Sequence, residues 1–387
     1  MAEAVRLYVG TNDGVQVLSV RGGEAELVSE GLGGTIVQAE AGSASSPERV
    51  FVAVAHSGLY RTDDAGKRWT KVLDGDMRSV TVDPTDDRVV YAGTDPVHLY
   101  RSEDGGDTWQ ELESLQRLPE ETHQRLGETE QVEMSNSHVP TFRHRRQDWW
   151  FPVEPHEGHV LQMFIHPDDP NLLLLSIEHG GVARSKDRGQ TWEDVSQGID
   201  YLDIHCVTSI PHRFDRYLVA SARGLYSTSD PAAGWDRAQN GIERDYFHDI
   251  VFMPPRNGGD PLAVVATAEG SPGFWPSTSK SDHWRENTIG SRAALYRSAD
   301  CGASWQRVGA GNGLDEEMEP FIWALCTNPV ENYGLFAGVG RSSGVPSPTR
   351  SFKTGEGSVL YSDDAGDSWR PLQTGLSSVE RVYAAPE

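Results

Sequence analysis

The sequence predicts an all-β protein: a single seven-bladed β-propeller of four-stranded antiparallel blades, spanning residues 1–387, with the two ends of the chain sharing one blade. Three observations lead there. A short motif of hydroxyl, Asp, Gly and Trp residues returns along the chain at a spacing of about 40 residues, the period of an array of blade-sized units. Short apolar runs flank each copy, so that the motif lies between the last two of four strands, here named A to D. Finally, the chain starts with three strands that lack a partner and ends with one strand to spare.

The fullest motif is Ser102-x-Asp104-x-Gly106-x-Thr108-Trp109. Thr62, Asp64, Gly66 and Trp69 form another copy, as do Ser185, Asp187, Gly189, Thr191 and Trp192. Ser298, Asp300, Gly302, Ser304 and Trp305 repeat it, and so do Ser362, Asp364, Gly366, Ser368 and Trp369. A worn copy keeps Thr228, Asp230 and Trp235, with Ala232 and Gly234 in place of the Gly and the hydroxyl. A short Asp or Ser side chain accepts hydrogen bonds from nearby backbone N–H groups, and Gly supplies the positive φ that closes a turn. The Trp opens the outgoing strand and buries a large apolar face. Six copies of one constellation argue for scaffolding, so Asp64, Asp104, Asp187, Asp230, Asp300 and Asp364 are read as structural.

These stretches resemble Asp-boxes, the BNR repeats of sialidases, sortilin-type receptors, two-propeller xyloglucanases and photosystem II assembly factors. The resemblance covers Thr62 to Trp369 and implies a propeller, with a glycosyl hydrolase-like or sialidase-like activity as one expectation. It is incomplete. No Phe/Tyr-Arg-Ile-Pro stretch stands near the N-terminus to begin a sialidase arginine triad, and a xyloglucanase would need a second propeller.

In chain order, RLYVG (6–10), VQVLSV (15–20) and EAELVS (24–29) supply strands B, C and D of the first blade. Its missing strand A is RVYAA (381–385), and that pairing leaves no sheet edge open along the ring. Around the motif at Asp104 the strands read SVTV (79–82), VVYAG (89–93), HLYRS (98–102) and TWQEL (108–112). The other A strands begin near Thr35, His159, Asp203, Phe247 and Phe321. Pro- and Asp-rich connections such as HPDDPN mark the turns, and no stretch reads as a long helix.

Net charge is −24, and only five of the basic residues are lysines. Such an acidic, lysine-poor surface is expected of a halophilic, high-salt cytoplasm. It lacks the basic footprint that a nucleic acid requires. The N-terminus shows no basic and apolar leader, and no window approaches the apolar length of a membrane span, so a cytoplasmic protein without membrane or nucleic-acid partners is expected. Cys206, Cys301 and Cys326 show neither disulfide pairing nor C-x-x-C spacing.

Three insertions break the rhythm, at about 114–155, 270–292 and 341–356. All fall in D–A or B–C connections, which share the face opposite the repeated motifs. Loops on a rigid scaffold carry function more often than the scaffold does. The same face gathers the ionisable residues that the blade pattern does not require. His159, His205 and His248 start A strands of neighbouring blades, and His179 lies in an adjoining turn; imidazoles there, with carboxylates beside them, form a donor set for a divalent transition metal at the channel mouth. Glu157, Glu178, Asp203, Asp245 and Glu380 are candidate catalytic carboxylates of a glycosidase- or lyase-like enzyme. Arg143, Arg145 and Arg146 are suited to an acidic substrate group, and Trp149, Trp150, Tyr246 and Trp323 to a carbohydrate ring. The alternative is a non-catalytic scaffold for a small molecule or a protein, with each histidine satisfied structurally.

Overall fold

The computed structural model describes residues 3–43, 45–118, 158–256, 258–270, 291–316, 318–340 and 357–387, and the backbone of a two-stranded ribbon, Val132–Glu133 with Arg143–His144. Apart from that ribbon, the described strands form seven four-stranded antiparallel sheets. Blade 1 pairs Glu24–Gly31, Gly14–Arg21 and Val5–Thr11 with the C-terminal strand Val379–Pro386. The register runs from Val5 opposite Pro386 to Thr11 opposite Val379, which is the expected closure. The A strands of blades 2 to 7 are Val37–Ser43, Met77–Val82, His159–Ile165, Ile204–Ile210, Tyr246–Met253 and Phe321–Thr327. Each lies against the A strands of the blades before and after it, so together they form a closed inner ring.

The B strands read as continuous apolar runs because both of their faces are covered by neighbouring blades. Leu173–Glu178 and Leu262–Ala268 are buried along almost their whole length. The outer D strands are shorter than the sequence suggests in blades 3 to 5, where only Gln110–Glu111, Glu193–Asp194 and Asp236–Arg237 pair. Strand D begins one residue after the motif Trp, whose ring is spent on packing. Trp192, Trp235, Trp305 and Trp369 are buried. The indole N–H of Trp235 donates to the Val195 carbonyl of blade 4 at 2.7 Å, and that of Trp305 to Ala238 of blade 5 at 2.8 Å.

Each repeated turn closes on itself. At Asp364, Ser362 Oγ donates to the carboxylate (2.8 Å) and accepts from the Gly366 N–H (2.9 Å). The second carboxylate oxygen accepts from Ser368 Oγ at 2.6 Å. Ala365 (φ 62°) and Gly366 (φ 88°) are both left-handed, which explains a Gly at the second of these positions. The same bonds recur at Asp104, Asp187 and Asp300. At Asp64 the Arg68 guanidinium replaces the hydroxyl, and at Asp230 the carboxylate accepts only the Ala232 N–H within its turn. Among the described residues, the only helix is the 3-10 turn Glu113–Arg117.

One feature of the inner ring had no expectation behind it. In every blade the A–B register slips near the start of strand A. The extra residue of these bulges is Gln38, Arg78, Leu161, His205, Trp323 or Glu380, and in blade 6 His248 and Asp249 together stand opposite Ala266. A bulge re-aims its side chain out of the sheet alternation. A residue in or just after the bulge then ties the next blade: Gln162 Oε1 accepts the Val207 N–H at 3.1 Å, and Asp249 Oδ2 the Leu325 N–H at 2.8 Å.

Candidate functional site at the channel mouth

The bulges and the B–C turns meet at the face opposite the repeated motifs. Strand B of blade 4 ends at Glu178, and a tight turn follows through His179 (φ 60°) and Gly181 (φ 88°), closed by the Gly180 N–H on the Ile177 carbonyl at 2.9 Å. His is one of the few non-glycine residues that enter this left-handed region with some frequency. In the next blade, Asp203 immediately precedes strand A, and its carbonyl accepts the Ala222 N–H at 3.0 Å. His205 follows as the bulge residue of that strand.

Glu178, His179 and Asp203 each bring one donor atom to within 4.8 Å of the others. Glu178 Oε2 lies 2.7 Å from His159 Nε2, and Oε1 lies 3.6 Å from His179 Nε2. His205 Nδ1 stands 2.6 Å from the Phe247 carbonyl; since a carbonyl only accepts, that nitrogen carries the proton. Its Nε2 is 3.2 Å from Asp203 Oδ1. Tyr246, His248, Phe321 and Trp323 wall the site on the side of blades 6 and 7. The His205 ring centroid is 4.9 Å from that of Tyr246 and 5.1 Å from that of His248, and His248 is 5.4 Å from Trp323.

Burial disfavours the imidazolium of His159, but the charge and hydrogen bond of Glu178 outweigh it and raise its pKa. His205 is raised in the same sense, burial being outweighed by Asp203, Glu178 and the Phe247 carbonyl. Burial also opposes ionisation of Glu178, yet His159, His179 and His205 hold it well below the usual carboxylate range. His248 differs: burial and the neighbouring His205 charge push it well down, so it is neutral.

A second chain of polar contacts runs along the rim over blades 2 to 4. His56 Nδ1 lies 2.7 Å from Asp76 Oδ2, and Arg78 Nη2 reaches Asp76 at 3.3 Å and Asp95 at 2.7 Å. Asp95 in turn stands 3.9 Å from His159 Nδ1. The His56–Asp76 and Asp95–His159 contacts repeat one geometry, in which a B–C turn residue meets the residue at or before strand A of the following blade.

Of the residues singled out from the sequence, the structure brings Glu178, Asp203, His159, His179, His205, His248, Tyr246 and Trp323 into this region. Of the four histidines read as a metal set, His179 alone belongs to the compact trio; His159 binds Glu178, and His205 turns one nitrogen to a backbone carbonyl. Asp245 is exposed, and its carboxylate accepts the Gly270 N–H at 2.7 Å. Glu380 is the buried bulge residue of blade 1. Glu157, Arg145, Arg146, Trp149 and Trp150, and the side chain of Arg143, lie outside the described residues. Sequence reading passed over Arg78 and Asp95 as partners, since their meeting depends on a bulge that leaves no local mark.

No family model and no curated protein matches the chain. Among solved structures, the GH74 xyloglucanase from Xanthomonas campestris shares 15% identity at a TM-score of 0.56, over 87% of this chain and 45% of its own. An ancestral GH74 enzyme matches at 15% identity and a TM-score of 0.53, over 86% of this chain and 38% of its own. The dihydro-heme d1 dehydrogenase NirN, in complex with DHE, matches at 11% identity and a TM-score of 0.52, over 98% and 74% of the two chains. The chain thus spans less than half the length of either GH74 enzyme. At these identities the likeness shows the propeller fold alone.

Proposed function

We propose that the channel mouth between blades 4 and 6 binds a small polar, carbohydrate-like molecule and performs hydrolase- or lyase-type acid–base chemistry on it. The observation that carries this reading is the convergence of Glu178, His179 and Asp203 to within 4.8 Å, beside His205 and Tyr246. Structural ion pairs neutralise one another two by two; here two carboxylates from different blades share one small space with several imidazoles. Their closest oxygens lie within 4.8 Å.

In this reading Asp203 is the nucleophile or base, a buried carboxylate whose Oδ1 stands 3.2 Å from His205 Nε2. Glu178 is the second carboxylate, oriented by His159. His205, anchored at Nδ1, presents Nε2 as the proton donor. The repeated turns and the GH74 structures support placing the chain beside the Asp-box, sialidase-like and glycosyl hydrolase-like propellers. Satisfied rim pairs such as Arg78–Asp95 and His56–Asp76 favour a second reading, a non-catalytic binding scaffold.

The test is turnover and binding across a panel of glycosides and uronides in high salt, with and without divalent metals. Asp203→Asn and His205→Gln are expected to lower kcat at least about 100-fold, the scale of a lost acid–base group, with circular dichroism unchanged. Inactivity of the wild-type protein over the whole panel, with ligand binding retained, would replace the enzyme by the scaffold.

A further inference from the structure

We infer that Glu178, His179 and Asp203 form a binding site for one divalent first-row transition ion, of the Zn²⁺ or Mn²⁺ class. The inference rests on the same site as the proposed chemistry but not on turnover. Two carboxylates and an imidazole come together from the end of one blade's strand B and the start of the next blade's strand A, with donor atoms within 4.8 Å. Around an ion with bonds of roughly 2.0–2.1 Å, neighbouring ligand atoms stand about 3 Å apart, so modest side-chain rotation closes the shell.

A second observation points to a ligand. Asp203 is 8% exposed, and among the described residues its Oδ1 has one ion-pair contact, His205 Nε2 at 3.2 Å, which leaves a second lone pair on that oxygen for a cation. A buried carboxylate oxygen is costly unless a donor or a cation meets it. The surroundings match what metal ligands require: His159 holds one oxygen of Glu178 at 2.7 Å, and His205 Nε2 stands 3.2 Å from Asp203 Oδ1, so both carboxylates are oriented by an imidazole behind them. The donor set has no sulfur, and one imidazole beside two carboxylates selects Zn²⁺, Mn²⁺ or Fe²⁺ over Cu⁺ and over the all-oxygen cages of Ca²⁺.

Blade 2 supplies an internal control. His56 occupies the same turn position as His179, is also left-handed (φ 55°), and meets Asp76 before the next strand A at 2.7 Å. The described residues near that pair include no third donor close enough to complete a metal set, and none is inferred there.

The experiment strips the full-length protein with a chelator, removes the chelator, and titrates ZnCl₂ or MnCl₂ by calorimetry, with the melting temperature followed in parallel. One equivalent is expected to bind at micromolar affinity or tighter and to raise the melting temperature. Asp203→Asn and His179→Asn are each expected to weaken binding at least tenfold; Asn keeps the left-handed turn accessible at position 179. His56→Gln is expected to leave binding unchanged. The inference is overturned if neither ion binds a folded wild-type protein saturably, or if Asp203→Asn and His179→Asn both bind as wild type does. Turnover without metal binding would overturn this inference alone, and metal binding without turnover only the catalytic reading.

Discussion

Glu40 shows at the scale of a residue what the inner ring costs. It lies on strand A of blade 2, two residues beyond the bulge at Gln38, and both carboxylate oxygens are buried without a hydrogen bond although the residue as a whole is partly exposed. Burial pushes its carboxyl up to about 8, and the Arg381 charge offsets this only in part. The folded protein therefore holds a proton on Glu40 that the unfolded chain releases above its ordinary pKa of 4.5. Stability from this group is fully present below that value and is lost as pH rises towards 8. Glu40→Gln is expected to match wild type near pH 5 and to exceed it near pH 8 by about 1–4 kcal/mol, the scale of a shift of a few pKa units. Urea unfolding at the two pH values checks it; parallel pH profiles for the two proteins would refute the assignment.

At the scale of an element, the C-terminal strand Val379–Pro386 decides whether the ring exists. It is the sole described strand that joins residues distant in sequence into one blade, and Val379, Val382, Ala384 and Ala385 are buried in the process. Truncation after Leu376 leaves Val5–Thr11 with an unpaired edge beside the channel. Exposing a buried valine costs about 1.5–3 kcal/mol, so the loss of two with their ladder should exceed about 5 kcal/mol. The expected result is a lower, broader thermal transition, recovered when the missing segment is added as a peptide. A truncated chain that melts as sharply and as high as the intact one would show that the closure is dispensable.

For the whole molecule the controlling quantity is charge. A net −24 sets 58 acidic against 34 basic residues, and the repulsion acts across the entire surface. Raising ionic strength from 0.1 to 1 M shortens the screening length from about 10 to about 3 Å. Salt also weakens exposed pairs such as Arg237–Asp200 and Arg213–Asp260, but such pairs are worth only about 0–1 kcal/mol each. Relief of repulsion is therefore expected to win, and KCl to raise the melting temperature steadily over this range. A flat or falling profile by calorimetry would argue against the high-salt habitat expected from composition.

The blade count, the order of strands and the shared first blade were all legible in the sequence, because they follow from local signals: turn residues that recur at fixed offsets, apolar runs of strand length, and a surplus strand at one end matching a deficit at the other. His205 and His248 were legible as residues at the starts of A strands, and together with Arg78, Trp323 and Glu380 they prove to lie at the bulges of their blades. What each of them touches was not. A bulge slips the register by a single residue and reverses which side chains face inward, and nothing in the local pattern marks it. Only the assembled ring decided that His159 binds Glu178 rather than joining His205, and that His179 and Asp203, separated by a full outer hairpin in sequence, complete a trio with Glu178. Local chemistry dictates strands and turns over a few residues; a site made where different blades meet depends on the angle and register between sheets, which packing alone sets.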